Sequence, residues 1–316
     1  MARIVIALGG NALQANPKDT TAEAQLITAR QTSEAIVDLI EEGHEVIVAH
    51  GNGPQVGQLV ATYEAAALIN ENNPIMPFPE CGAMSQGYIG YHLQQSIRTE
   101  MRKRDVNKEI ATIVTQVIVD ENDSGFKNPT KPVGSFFTEQ QAKKLMTEKG
   151  YVMKEDSNRG WRRVVASPLP KAIVEEPIIK TLVEAGHVVI TVGGGGIPVI
   201  DKGNGVLEGV AAVIDKDFAS GKIAELLNAD ALVVLTAVEQ VAINFGKPDQ
   251  KNLSRITVEE AKIYIEEGHF APGSMLPKIK AALTFVEAKK GRKAIITSLG
   301  KAREAIDGTA GTVIIN

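Results

Sequence analysis

The chain has 316 residues, 44% hydrophobic and 23% charged, which supplies a large core and excludes a disordered or fibrous protein. A formal charge of −4 and only 4% aromatics exclude a sequence-wide basic field for nucleic acid or an anionic membrane, and also aromatic platforms that stack single-stranded bases. The one cysteine, Cys81, cannot form an intramolecular disulfide; it suits a reducing compartment and reads as a buried, inert thiol.

Met1-Ala2-Arg3 leads directly into Ile4 to Leu8, too short an apolar run for a signal peptide, so it reads as a first strand running into Gly9-Gly10-Asn11. Helical spacing covers 22–42, followed by a strand from Val46 to Ala49 and the turn Gly51-Asn52-Gly53. A helix over 84–104 and a strand from Ile110 to Val119 come next. From about Asp123 to Ser167 the chain turns polar and breaks the alternation. This stretch reads as a small ordered subdomain inserted after a strand, with Phe126, Phe136, Phe137, Tyr151 and Trp161 available for a mini-core. Then follow a helix over 170–185, a strand from Val188 to Val192, the turn Gly193 to Gly196, and a helix over 217–228. A strand from Ala231 to Thr236, helices over 257–267 and 274–290, and strands from Lys293 to Thr297 and Thr312 to Ile315 complete the chain. No apolar stretch approaches the ~20 residues that span a bilayer, so a cytoplasmic protein is expected.

Short β-branched runs alternating with amphipathic helices predict an α/β fold: an open, mostly parallel sheet flanked by helices on both faces, with a small protruding subdomain. Ligands of such sheets sit beyond the carboxyl ends of the strands. Three glycine turns follow strands there, and glycine lets backbone N–H groups approach an anion, so together they point to phosphate. The P-loop pattern is absent, because Gly268 to Gly273 is followed by Ser274-Met275 with no lysine in place. Gly51-Asn52-Gly53-Pro54-Gln55-Val56 lacks the third glycine of a dinucleotide turn. The five histidines form no i,i+4 pair, and no zinc site is expected.

Three lysines stand in unusual places. Lys278 lies in the first turns of a helix, where a cation opposes the dipole unless an anion binds. Lys216 sits between Asp215 and Asp217, and Lys131 lies between Pro129 and Pro132. Each alone is compatible with a solvated surface lysine. With the glycine turns they fit a phosphoryl-transfer site, where point charges neutralise the transferring group. Asp217 could orient the lysines, and Asp215 is its rival.

These residues resemble the amino acid kinase family, and within it the carbamate kinases, along essentially the whole chain. The carriers are Ala7 to Leu13, His50 to Gly57, Gly82 to Gly87, Asn128 to Pro132, Glu155 to Arg162, Gly193 to Pro198, Ala212 to Asp217 and Gly268 to Lys278. The resemblance implies an enzyme interconverting ATP plus carbamate with ADP plus carbamoyl phosphate, with Mg²⁺ carried by the nucleotide and no metal ligands from side chains. It also implies a homodimer, and ATP formation from carbamoyl phosphate in arginine fermentation. By matching position, Lys131, Lys216 and Lys278 would hold the transferring phosphoryl group, with Asp217 organising the lysines. Gly9, Gly10, Asn11, Gly51, Asn52, Gly53, Gly194 and Gly195 would line the substrate and phosphate site. Thr236, Ala237, Val238, Asn244, Gly246, Gly273, Ser274 and Met275 would hold the nucleotide. The single domain, 1–316, would divide into an acceptor-side N-lobe of about 1–210, bearing the insertion of about 123–167 as a lid, and a nucleotide-side C-lobe of about 211–316. Many amino acid kinases carry a lysine where this chain has Ala7, which argues against a larger acceptor. The alternatives are a kinase of the same fold acting on an acetylated amino acid or aspartate, and a non-catalytic nucleotide sensor.

Overall fold

The computed structural model describes residues 1–16, 19–156 and 159–316. Its centre is an eight-stranded sheet in the order Arg255–Thr257, Thr312–Ile315, Lys293–Ser298, Ala231–Thr236, Arg3–Leu8, Glu45–His50, Val188–Ile190 and Ile110–Thr112. All neighbours run parallel except Lys293–Ser298 and Thr312–Ile315. The unbroken apolar runs arise because both sheet faces are buried. Val5, Ala7, Ile47 and Ala49 point into a core shared with the helices Lys216–Leu226 and Met275–Glu287. Ile4, Ile6, Leu8, Val46 and Val48 point the other way, into a core shared with Ala22–Glu41 and Phe78–Lys103.

Arg3–Leu8 is flanked by Glu45–His50 on one side and by Ala231–Thr236 on the other. The chain therefore leaves the first strand toward one edge and later returns to its opposite side. At such a switch point the loops part and open a crevice beyond the strand ends. Gly9-Gly10, Gly51-Asn52-Gly53 and Ala237-Val238 all follow strands that end there.

Two expected elements divide. The Ile110 to Val119 run is not one strand: Ile110–Thr112 joins the large sheet, whereas Gln116–Val119 joins a second sheet with Leu207–Gly209, Ile197–Asp201 and Pro170–Ile173. The break is at Thr115, fully buried, whose backbone N–H and C=O both pair with the Gln86 side-chain amide at 2.8 and 3.1 Å. The 170–185 stretch likewise begins as the strand Pro170–Ile173 and becomes helical only over Glu176–Glu184. Glu175 between them accepts from the Gln116 backbone N–H and side chain, which ties the helix start to the second sheet. The helix Gly53–Ile69 was not expected at all, because its first turn is the glycine sequence that reads as a loop.

Among its described residues, the insertion carries regular secondary structure. Lys131–Phe137, Trp161–Val165 and Met153–Glu155 form a three-stranded antiparallel sheet against the helix Glu139–Lys149. A Thr138–Gln141 capping box starts that helix, and Gly150 at φ +66° ends it. Its buried side chains are Val133, Ala142, Met153 and Val164 rather than the aromatics. Phe136 is 43% exposed under the guanidinium groups of Arg159 and Arg162, and Phe126 packs against the main core instead. Small apolar side chains fill so thin a layer, while the rings serve as platforms for arginines. Of the motif Glu155 to Arg162, Ser157 and Asn158 lie outside the described residues. Cys81 is buried, and its thiol faces the Met76 carbonyl. Among the described residues, no helix is long and apolar enough to cross a membrane.

Candidate active site

Three cavities run in series across the crevice. The first, about 200 Å³, is walled by Gly10, Gly51 to Gly53, Gly194, Lys131, Asp215 to Asp217 and Lys278. The second, about 250 Å³, shares Gly10, Lys216, Ser274 and Lys278 with it and adds Gly9, Thr236 and Ala237. The third, about 470 Å³, shares Thr236, Ala237 and Ser274 with the second and extends past Val238, Asn244 and Met275.

Asp217 lines the first cavity and holds the two lysines that the first two share. It occupies the second position of the helix Lys216–Leu226 and is 2% exposed. One carboxylate oxygen accepts from Lys216 Nζ at 2.5 Å, the other from Lys278 Nζ at 2.9 Å. Lys278 reaches it from the first turns of the helix Met275–Glu287. Burial alone pushes the Asp217 carboxyl up, but the two ammonium groups together hold it well below the usual carboxylate range. For Lys216 the burial cost prevails: its pKa lies below the ordinary lysine value, with the charge of Lys278 adding to the fall.

Asp215 has a separate task. As the cap of the same helix it accepts from the Asp217 backbone N–H at 2.9 Å, and its other oxygen accepts from Lys131 Nζ at 2.6 Å. The rivalry between the two aspartates thus resolves by register. Asp217 holds the two lysines of the body, and Asp215 holds the one that descends from the inserted subdomain.

The glycines make this clustering possible. A Cβ on Gly51 would come within 3.2 Å of the Lys216 side chain, and one on Gly194, at φ +66°, would overlap the Asn52 amide at 2.1 Å. Asn52 itself is fixed by donating to Ser85 Oγ at 2.8 Å. Gly195 does not line the cavity; its open side is closed by the Ile214 carbonyl. Gly246 does not line the third cavity either, although Asn244 and Phe245 beside it do. Of Asn11, the backbone lies in the short 3₁₀ turn Gly10–Ala12. Lys247 and His269, which sequence reasoning did not single out for binding, also line the third cavity; they come from separate loops, and their spacing carries no signal.

No group of three or more His, Cys, Asp or Glu among the described residues could hold a metal ion. The two site carboxylates are already engaged by lysines and a helix N-terminus.

His50, 1% exposed, backs the same glycine turns: Nδ1 donates to the Gly51 carbonyl at 2.9 Å, and Gly193 has no Cβ because one would lie 2.4 Å from Nε2. Burial, with Lys216 adding, holds its pKa down to about 4 from the usual 6.5. An unfolded chain takes up this proton as the pH falls through 6.5, while the folded chain resists until about 4, so stability is lost across that window. The melting temperature of the wild type is expected to fall more between pH 7 and pH 5 than that of His50→Asn; equal slopes would show that His50 does not carry this sensitivity.

The family pattern described as "Amino acid kinase family" matches residues 2–298. The chain belongs to the amino acid kinase family. Among the relatives of this amino acid kinase, the carbamate kinase of Clostridium perfringens is 59% identical over 99% of both chains. The carbamate kinase-like protein YqeA of Escherichia coli is 58% identical over 99% of this chain and 98% of its own. The solved carbamate kinase of Giardia lamblia bound to AMP-PNP superposes with a TM-score of 0.91 at 43% identity, covering 99% of this kinase and 98% of that chain. At these identities and full coverage, this kinase groups with the carbamate kinases of the family.

Proposed function

We propose that this chain transfers a phosphoryl group between ATP and carbamate, interconverting them with ADP and carbamoyl phosphate. The observation that carries the reading is Asp217 with its two lysines, set where a small glycine-walled pocket meets a cavity large enough for a nucleotide. The nucleotide lies along Thr236, Ala237, Val238, Asn244 and Met275, with Gly246 shaping the loop and Gly273 and Ser274 beside the phosphates. The acceptor lies against Gly10 and Gly51 to Gly53, so that the N-lobe of about 1–210 is the acceptor side and the C-lobe of about 211–316 the nucleotide side.

Carbamate is already an oxyanion and needs no general base. One of its oxygens forms a bond to the γ-phosphorus while the bond from that phosphorus to the β–γ bridging oxygen breaks, and ADP leaves with the electron pair. Lys216 and Lys278, pinned by Asp217, neutralise the oxygens of the group in flight, and Lys131 exchanges Asp215 for the phosphoryl group as it arrives. A Mg²⁺ carried by the nucleotide would offset its phosphate charge. Ala7 in place of a lysine favours an acceptor with no side chain. The reading places the enzyme in the cytoplasm, forming ATP from carbamoyl phosphate in arginine fermentation. It also implies a homodimer, for which exposed Tyr91 and Val114 beside the edge strand Ile110–Thr112 offer a face.

The test is ATP formation from ADP, Mg²⁺ and carbamoyl phosphate, run beside acetyl phosphate and N-acetylglutamyl phosphate. Selective turnover of carbamoyl phosphate is expected. Turnover of another acyl phosphate alone would reassign the acceptor, and ADP binding without turnover of any would leave a nucleotide sensor.

A further inference from the structure

The inserted subdomain carries Lys131 but meets the body mainly along one helix, Gly53–Ile69. At the near end of this contact the backbones approach closely. Val56 and Val60 of the helix and Phe78 share a buried cluster with Val133 and Val165 of the subdomain. The backbones touch so closely that a Cβ on Gly57 would lie 2.1 Å from the Gly134 Cα. Beside this contact runs a cavity of about 210 Å³ that starts at Gly57 and Gly134 and reaches Leu68 on the helix and Phe137 and Leu145 on the subdomain. The far end is bridged by one helix side chain. Glu64 accepts from Lys149 Nζ at 3.1 Å, from Arg163 Nη1 at 3.4 Å and from the Tyr151 hydroxyl. Arg163 is clamped in turn between the Tyr151 ring at 3.6 Å and the Phe78 ring at 4.8 Å.

We propose that Glu64 is a positioning residue, a latch that closes the subdomain about the Gly57–Gly134 pivot and so sets Lys131 over the first cavity. The linkage is short. Arg163 pairs with Val133 across the subdomain sheet, and Val165, two residues on, pairs with Lys131 itself. Release of Arg163 frees the strand against which Lys131 is registered, while the Asp217 cluster, held wholly by the body, is unaffected. The burial that pushes the Tyr151 hydroxyl up to about 12, reinforced by Glu64, keeps its proton available for this bond. A contact made of one small apolar cluster and one ion cluster beside a cavity is suited to opening, because ion clusters part at lower cost than packed cores.

This inference rests on the phosphoryl-transfer reading only for its activity readout, because the one tryptophan of the chain, Trp161, lies on the latched strand two residues from Arg163 and responds to that strand's release. In Glu64→Ala, kcat for ATP formation is expected to fall roughly 10- to 100-fold, the loss typical of a catalytic group misplaced by about 1 Å, with KM for ADP unchanged. The Trp161 emission should shift and become more accessible to a soluble quencher. Glu64→Gln, which still accepts from Tyr151, should recover part of both signals. A wild-type kcat in Glu64→Ala, or a lost kcat with unchanged Trp161 emission and quenching, overturns the latch. If the wild type forms no ATP, the functional reading fails, and the Trp161 response of the two variants alone decides the latch.

Discussion

Lys278→Ala is expected to lower kcat by roughly 100- to 1000-fold, the loss that follows removal of one preorganised charge from a phosphoryl-transfer site. Folding should persist. The buried face of its helix, Ile279, Ala282, Leu283 and Val286, is untouched and Asp217 keeps Lys216 as a partner, so losing one of its two ammonium groups lowers the melting temperature without unfolding the chain. The KM for ADP should change little, because Lys278 lies where the first two cavities meet and not in the third, where the base would sit. Steady-state kinetics beside a thermal melt separates these effects. Near-normal turnover by a folded variant would remove Lys278 from the mechanism. A collapse of the melting temperature would instead make it a structural ion-pair member.

The central sheet was legible because its strands are buried on both faces, which writes them as unbroken β-branched runs such as Ile4 to Leu8 and Ala231 to Thr236. The site was legible in part for a similar reason. Glycines in turns and lysines in unusual local settings are constrained by their immediate neighbours. What stayed hidden depends on contacts distant in sequence. The break in Ile110 to Val119 is set by Gln86, 29 residues before Thr115, and no local pattern marks it. The pairing of Lys131 with Asp215 spans 84 residues. The choice between Asp215 and Asp217 turns on a helix register finer than sequence periodicity resolves, since one residue caps the helix and the other points from its first turn into the cavity.

The aromatic residues of the insertion illustrate the opposite error. Hydrophobicity suggested that Phe136 and Trp161 would be core, yet the buried side chains are Ala142, Met153 and Val164, with Val133 turned to the helix Gly53–Ile69, while Phe136 lies under two arginines and Trp161 is half-buried. Glu64 had no sequence signal at all, being one acidic residue on an exposed-looking helix. Its meaning arises only when Lys149, Tyr151 and Arg163 converge on it from 85 to 99 residues away.

Asp217→Asn tests whether the lysines act as charges held in place or merely as nearby cations. The amide has the same shape but no charge, so two ammonium groups that shared one carboxylate are left without it in a buried setting. Removing one partner from such a group costs about 3–5 kcal/mol of stability, and a lower melting temperature is expected. The more specific expectation concerns pH. Burial already holds Lys216 below the ordinary lysine value, and Asp217 is the main charge opposing that fall. Without it, the Lys216 pKa drops further, the neutral amine gains population as the pH rises, and the alkaline limb of the kcat profile moves to lower pH. The sign is opposite for the carboxylate itself. Its depressed pKa gives the wild type stability that is present at neutral pH and lost only in strong acid, so the melting temperatures of Asp217→Asn and wild type should converge as the solution is acidified. An Asp217→Asn enzyme with an unshifted alkaline limb and unchanged kcat would show that the carboxylate does not set the charge of the lysines, and the phosphoryl clamp would have to be sought elsewhere.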